Sequence, residues 1–110
     1  MTQDSTELRG VPRAAARLVE YAEGSIVSRT IVKRDTGNVT LFAFDAGQGL
    51  SEHTAPFDAL VYILDGRALI AIGGRENEVA AGEMLLMPAN VPHALQAVER
   101  FKMMLVMIRG

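Results

Sequence analysis

The two histidines of this chain, His53 and His93, are the side chains best suited to chemistry. Each lies in a segment punctuated by glycine and proline, over residues 47–66 and 82–93. A neutral imidazole is the commonest metal ligand in proteins, and it also carries protons near neutral pH. The spacing of glycine, proline and histidine is typical of a metal site on a small β-barrel, so these two segments predict where chemistry would occur.

The elements that position these histidines should belong to one domain, because 110 residues build a single core. No apolar run reaches the roughly 18 residues of a membrane span. The chain has 11 Lys and Arg against 13 Asp and Glu, and the basic residues are scattered, so we expect neither a membrane nor a nucleic-acid partner. Without cysteine there are no disulfides or thiolate ligands. Residues 1–7 lack the pattern of a secretory signal, and we expect a cytoplasmic protein.

Residues 1–24 are predicted to form an N-terminal arm. The first ten are polar and weakly patterned, as in a mobile arm or a segment that orders on a neighbouring subunit. Residues 13–21 follow Pro12 and precede Gly24, which fits one or two helical turns. An extended strand at a dimer contact is the alternative, and the sequence leaves both open.

From residue 25 onward the pattern indicates β-structure. Residues 26–32 are rich in β-branched side chains, and a turn at residues 35–38 separates them from the apolar residues 39–44, which predicts a hairpin. Glycine and proline then separate short apolar runs at near-regular intervals, the pattern of an all-β sandwich or barrel. These runs lack clean alternation, so we expect both their faces to be covered, one by the barrel interior and one by a second sheet or a partner subunit. The runs are residues 60–64, 69–72, 84–87 and 103–108.

The two histidine segments resemble the paired signature motifs of the cupin superfamily. The resemblance covers roughly residues 47–97 and rests on glycine, proline and histidine in matching order. It implies an all-β, double-stranded β-helix or jelly-roll barrel of the small RmlC-like type, which we place at residues 25–110. The matching residues are Gly47, His53, Pro56 and Gly66 in the first motif and Gly82, Pro88 and His93 in the second.

The chain departs from the family pattern at the remaining ligand positions. Ala55 and Ala59 stand where the resemblance implies a second histidine and a glutamate. Asn90 replaces a usual glycine, and Ala97 occupies a position often given to asparagine. Two imidazoles alone leave most of a metal's coordination to water, so the resemblance implies a weak, exchangeable site for iron, manganese, nickel or zinc. The alternative is that both histidines are pocket residues that bind no metal.

Asp58 is the leading candidate for a third metal ligand. Two histidines and one carboxylate form the facial triad of non-haem iron sites, which has open positions for substrate and oxygen. An ideal strand turns Asp58 to the face opposite Ala59, although a bulge after Pro56 would restore it. A solvent-facing or turn-capping carboxylate is the alternative.

Strand alternation predicts the walls of a pocket beside the histidines. Alternate residues of a strand share a face, so His53 should point inward with Ala55, and His93 with Leu95 and Ala97. Methionine fills irregular gaps and adapts to varied ligands, although most methionines here should be core. The predicted pocket residues are Ala55, Ala59, Val61, Leu95, Ala97 and Met87.

Three functions remain open from the sequence. We favour a small-molecule-binding barrel with a weak metal site on His53 and His93. A metal-dependent oxygenase or isomerase and a non-metal interaction or ligand-sensing module are the alternatives, and no residue is assigned a catalytic role. The edge strands of a small jelly roll need cover, so we expect a homodimer joined through edge strands and the N-terminal segment.

Overall fold

The computed structural model describes residues 8–109, which form eight β-strands and one short 3₁₀ helix. Within these residues no helix has the length and apolar character needed to cross a membrane. The elements in chain order are the 3₁₀ helix (Ala15–Arg17), β1 (Ile26–Arg34), β2 (Gly37–Phe44), β3 (Gly49–His53), β4 (Asp58–Ile72), β5 (Arg75–Ala80), β6 (Met84–Met87), β7 (His93–Gln96) and β8 (Phe101–Ile108).

The strands form two antiparallel layers that share the long strand β4. The first layer, sheet A, has the order β1-β2-β8-β4-β6, and the second, sheet B, has the order β5-β4-β7-β3. Both layers bury one face against the other, so the alternating residues of β4 point into a common interior. The predicted all-β jelly-roll barrel is confirmed, and so is the hairpin of β1 and β2.

Strand β4 is continuous, although the sequence predicted separate short strands at the apolar runs 60–64 and 69–72. Its first part pairs with β8, its second part pairs with β5 and β7, and the pairing with β8 is irregular between Ile63 and Asp65. Gly66 allows the strand to continue, since its φ of +72° suits glycine and a Cβ there would collide with the carbonyl oxygen of Arg100. The closing glycine of the first motif is therefore a backbone requirement of the fold.

The core between the sheets is apolar and tightly stacked at one end of sheet A. Phe44 and Phe101 are both fully buried, and their rings stack with centroids 4.5 Å apart. Phe101 pairs with Phe44 on one side and with Gly66 on the other, whereas Ala59 pairs with Met107 near the beginning of β4. Val61, Ile63 and Ile70 fill the interior. The stacked rings fill the interior at the Gly66 end of sheet A, and a cavity lies at the Ala59 end.

The N-terminal segment covers part of the outer face of sheet A. Val19 is only 3% exposed and packs against Leu41 and Ala43, which point outward from β2. The Lys102 ammonium, also buried, donates a hydrogen bond to the carbonyl oxygen of Ala16. Of the helical turn and the extended strand that the sequence left open for residues 13–21, the structure has a single 3₁₀ turn at Ala15–Arg17. Residues 1–7 of the predicted arm lie outside the described residues.

Polar contacts around Tyr21 anchor the end of this segment. The Tyr21 hydroxyl donates a hydrogen bond to the Asp65 carboxylate, and burial followed by this neighbouring carboxylate raises the pKa of Tyr21. The Arg100 guanidinium lies 4.6 Å from the centre of the Tyr21 ring and also donates to Asp45 at 2.9 Å. Asp45 accepts a further hydrogen bond from the Gly24 N–H. These contacts tie the arm to the barrel.

Candidate metal centre

His53 and His93 lie side by side on neighbouring strands. His53 ends β3, His93 begins β7, and the two are direct partners in the antiparallel register. The register shifts between Leu50 and His53, which marks a bulge or irregularity before the histidine. Such an irregularity re-aims a side chain and is common beside functional sites. The prediction that both imidazoles come from neighbouring strands agrees with this geometry.

The two imidazole rings meet through their Nε2 atoms. The Nε2 atoms are 3.1 Å apart, and the rings are close to perpendicular, with centroids 4.4 Å apart. The other nitrogen of each ring faces a backbone carbonyl oxygen two residues earlier. His53 Nδ1 lies 2.8 Å from the oxygen of Ser51, and His93 Nδ1 lies 3.2 Å from the oxygen of Val91.

These carbonyl contacts favour one tautomer of each ring. A carbonyl oxygen only accepts hydrogen bonds, so the favoured tautomer carries its proton on Nδ1. In two neutral rings, both Nε2 atoms then present lone pairs to each other at 3.1 Å. Two facing lone pairs repel unless a proton or a cation lies between them. The arrangement is therefore suited to holding a positive charge.

The pair fits the requirements of a shared metal ion. Nitrogen ligands bind zinc at about 2.0–2.1 Å, so two of them on one ion lie no more than about 4.2 Å apart. The separation of 3.1 Å satisfies this limit. Metal-ligating histidines also commonly donate their second N–H to a backbone carbonyl, which fixes the ring orientation, and both rings do so here. His53 is exposed and His93 is only 4% exposed, so solvent reaches the pair past His53.

Asp58 does not join the histidines, contrary to its suggested role as a third ligand. Residues of β4 alternate, with Ala59 and Val61 buried and Asp58 exposed on the opposite face. Its Oδ1 accepts a hydrogen bond from the Ala89 N–H at 2.9 Å, which is the capping alternative. The register shift lies between Leu50 and His53 and not after Pro56, where a bulge was needed to turn the Asp58 side chain inward. Among residues 8–109, no set of three or more His, Cys, Asp or Glu is placed to hold a metal.

A cavity of about 190 Å³ opens beside the two imidazoles. Four predicted pocket residues, Ala55, Ala59, Leu95 and Met87, lie on its wall. Val61 and Ala97 do not, because both are fully buried in the core behind it. Apart from the histidines, the wall that residues 8–109 form is apolar. The lining residues are Leu50, His53, Ala55, Phe57, Ala59, Met87, His93, Leu95, Met103, Leu105 and Met107.

Five of these wall residues are outside the predicted pocket set, namely Leu50, Phe57, Met103, Leu105 and Met107. Leu105 lies between Met103 and Met107 on β8, so two-residue alternation along this strand would have identified it. Leu50 is three residues from His53, and regular alternation puts such residues on opposite faces. Only the register shift brings both to the cavity. Phe57 lies between β3 and β4, outside any strand, and carries no periodic signal.

Comparison with known proteins agrees with this architecture. The family model described as "Cupin domain" matches residues 40–109, which is more than half of the chain. The chain belongs to the cupin family. The barrel backbone needs the glycines and prolines of the signature whether or not a metal is bound. They therefore match here although alanine stands at half of the ligand positions. Gly66 is an example, because the backbone of the fold requires it.

Solved cupin-like structures show the same fold. A conserved protein of unknown function from Streptococcus pyogenes is 40% identical, with a TM-score of 0.86, covering 91% of this chain and 87% of that one. A cupin 2 conserved barrel domain protein from Leptotrichia buccalis is 42% identical, with a TM-score of 0.83, covering 86% of this chain and 46% of that one. A cupin superfamily protein from Desulfitobacterium hafniense is 29% identical, with a TM-score of 0.87, covering 91% and 92%.

A curated relative matches over a shorter range. An uncharacterized protein from Streptomyces coelicolor is 36% identical over 56 residues, which are 51% of this chain. The match covers 53% of that protein, so the chain spans about half the length of this relative.

Proposed function

We propose that this cupin barrel binds a divalent transition-metal ion through His53 and His93 and holds a small organic molecule in the adjoining cavity. The observation that supports the proposal is the pair of Nε2 atoms, 3.1 Å apart, in rings whose Nδ1 atoms both donate to carbonyl oxygens. Imidazole suits iron, nickel and zinc, and manganese is the fourth candidate metal. Such an ion would supply Lewis-acid chemistry to a molecule held in the cavity.

The side chains around the pair perform the remaining tasks. The carbonyls of Ser51 and Val91 hold both rings in the ligating tautomer. Met103, Leu105 and Met107 shield one side of the cavity from water. Two neutral ligands make a weaker site than the three or four of a complete zinc shell, so we expect an exchangeable metal.

The composition of the cavity wall favours binding over proton-transfer catalysis. Among the wall residues that the structure describes, only the two histidines have a proton to move, and the proposal assigns their nitrogens to the metal and to backbone carbonyls. General acid–base catalysis needs a further group within hydrogen-bond reach of the reacting atoms. We therefore place small-molecule binding ahead of an oxygenase or isomerase activity.

Elemental analysis of protein purified without a metal-affinity tag tests this proposal. The wild-type chain should retain a transition metal, and His53→Ala and His93→Ala should each lose it, while Asp58→Asn retains it. Circular dichroism shows whether each variant is folded. Equal metal content in the wild type and in folded His53→Ala would overturn the site.

A second experiment restores the alanine positions. In the double variant Ala55→His with Ala59→Glu, both new side chains start from the cavity wall beside the histidines. Additional ligands should raise metal affinity by at least about tenfold. An unchanged affinity, measured by competition with a chelating dye, would show that positions 55 and 59 do not share a site with the histidines.

A further inference from the structure

We propose that residues 14–23 form a strap that opens as a unit from the outer face of sheet A while the barrel stays folded, and that the closed strap supports the cavity wall through β8. The strap lies on the opposite side of this sheet from the cavity, so its opening does not require a bound metal. Three features support the strap: its local backbone bonds, the burial of one ammonium group and the alternation of β8.

The backbone of the strap stands outside the sheet. Among residues 8–109, its backbone-to-backbone hydrogen bonds are those of the 3₁₀ turn at Ala15–Arg17 and of the turn that the Ser25 N–H closes on the Ala22 carbonyl. A segment that is not part of a strand ladder opens locally at a lower free energy than the core strands. The strap can therefore leave the sheet without breaking any strand pairing.

One side chain seats the strap on the sheet. Val19 is 3% exposed and packs against the outward-facing Leu41 and Ala43, whereas Leu18 and Tyr21 beside it are only partly buried. Most of the apolar burial of the strap thus depends on Val19. A single substitution at this position should loosen the whole segment.

The Lys102 ammonium makes closure of the strap costly. Lys102 is 8% exposed, its Nζ donates to the carbonyl oxygen of Ala16, and it lies 4.9 Å from the centre of the Tyr21 ring. Both partners belong to the strap and are uncharged, and among residues 8–109 no carboxylate forms an ion pair with this ammonium. Neutral partners compensate only part of the cost of removing a charge from water. Opening returns the ammonium to water, which narrows the free-energy difference between the closed and the open strap.

Strand β8 connects the strap to the cavity. Lys102 contacts the strap, and Met104 packs in the outer cluster that holds Val19. The alternate residues Met103 and Leu105 line the cavity on the inner side. The closed strap therefore packs directly behind the cavity wall, and opening removes this packing from the outer side of β8.

Trypsin cleavage of the folded protein measures the opening. The bond after Arg17 lies between two carbonyl oxygens that the barrel holds, that of Ala16 by Lys102 and that of Leu18 by Arg29, so cleavage there needs an open strap. Cleavage after Arg29, within β1, needs an open barrel. At low urea the first cleavage should be at least about tenfold faster and much less dependent on urea, because opening the strap exposes little surface. Equal rates with the same urea dependence would overturn the proposal.

Val19→Ser and Val11→Ser are matched variants for this measurement. Val11 precedes the strap and is 41% exposed. Val19→Ser should accelerate cleavage after Arg17 by about tenfold, because it removes buried methyl groups and buries a hydroxyl, and it should leave cleavage after Arg29 unchanged. Val11→Ser should match the wild type at both bonds. If Val19→Ser accelerates both cleavages equally, the strap and the barrel open together and the proposal is wrong.

Lys102→Met tests the cost of the buried ammonium. Methionine keeps much of the side-chain length without the charge, so the strap should close more firmly and cleavage after Arg17 should slow by about threefold or more. Lys33→Met, at an exposed position of β1, is the control and should leave the rate unchanged. Faster cleavage in folded Lys102→Met would contradict the role given to the ammonium.

NMR of ¹³C-methyl-labelled methionines tests the support of the cavity wall. In Val19→Ser the Met103 methyl signal should shift and broaden, because β8 loses the packing behind it. The signal of Met84, which is 60% exposed on β6, should stay unchanged. An unchanged Met103 signal, in a variant whose cleavage after Arg17 is faster, would overturn the link between the strap and the cavity.

Discussion

At the scale of single residues, alternation along β4 keeps the Asp58 carboxylate away from the histidine cavity. Asp58 and Ala59 are adjacent, and the strand turns one outward and the other to the cavity. The histidine pair was accessible from sequence because both residues occur in recognisable segments. The carbonyls of Ser51 and Val91, which orient the rings, carry no signal in the identity of their side chains.

The Asp58 carboxylate should contribute to stability and not to metal binding. Its Oδ1 accepts a hydrogen bond from the Ala89 N–H, so Asp58→Ala should lower the free energy of unfolding by about 1 kcal/mol. Asp58→Asn keeps an acceptor oxygen and should have a smaller effect. Urea unfolding measures both variants, and elemental analysis should find their metal content unchanged. A loss of metal in folded Asp58→Ala would return Asp58 to the ligand set.

At the scale of elements, the strands were predictable and the continuity of β4 was not. The apolar runs and β-branched residues identify where strands occur, because these side chains pack on a half-buried pleated surface. The pair Asp65 and Gly66 reads locally as a turn. Only the close approach of the Arg100 backbone shows why a glycine within a strand is needed there.

Two glycines provide a matched test of this close approach. Gly66 and Gly74 both have positive φ, +72° and +83°, but a Cβ at Gly66 meets the Arg100 backbone and one at Gly74 meets nothing within 4 Å. Gly74→Ala should cost about 1 kcal/mol from backbone strain alone. Gly66→Ala should cost at least about 2 kcal/mol more, because a rigid backbone atom must also move. Equal thermal midpoints for the two variants would contradict the described approach.

The contacts of Asp45 predict an acid-dependent hold on the N-terminal segment. The hydrogen bond from the Gly24 N–H, followed by that from Arg100, lowers the pKa of Asp45. A carboxyl whose pKa is lower in the folded state adds stability above its unfolded pKa, and this stability is lost as the pH falls through the folded pKa.

Asp45→Asn should therefore reduce stability at neutral pH and flatten the fall in stability between about pH 5 and pH 2. Asp35→Asn, in the exposed β1–β2 turn, is the control and should leave the profile closer to that of the wild type. Urea unfolding across this pH range measures the effect. If the stability of Asp45→Asn fell with acid as steeply as that of the wild type, the contacts of Asp45 would not contribute to stability.

At the scale of the whole molecule, the predicted homodimer stays a prediction. The described part of the arm packs on its own sheet A, but an uncharged row crosses that sheet's outer face. Val39, Val106, Leu60 and Leu86 are consecutive partners across four strands. A flat apolar row can pack against the same row of a second copy about a twofold axis.

Sedimentation equilibrium tests the homodimer. Leu86 is 52% exposed within the row, and Val98, which is 75% exposed, lies outside it. Leu86→Glu should weaken the dimer at least about tenfold, because it buries a charge at the contact, whereas Val98→Glu should not. A monomeric wild type, or equal dissociation of both variants, would contradict a dimer through this row.

Because β3 is exposed, its local opening is linked to the histidine pair. All five residues of this strand are exposed, and its only described strand partner is β7. A weakly held edge strand opens locally at little cost in free energy. An ion bound to both His53 and His93 would fasten β3 to the barrel, so opening and metal release would become one event. Slow release of a weakly held ion would then reflect the breathing of β3, visible as amide hydrogen exchange that slows when metal is added.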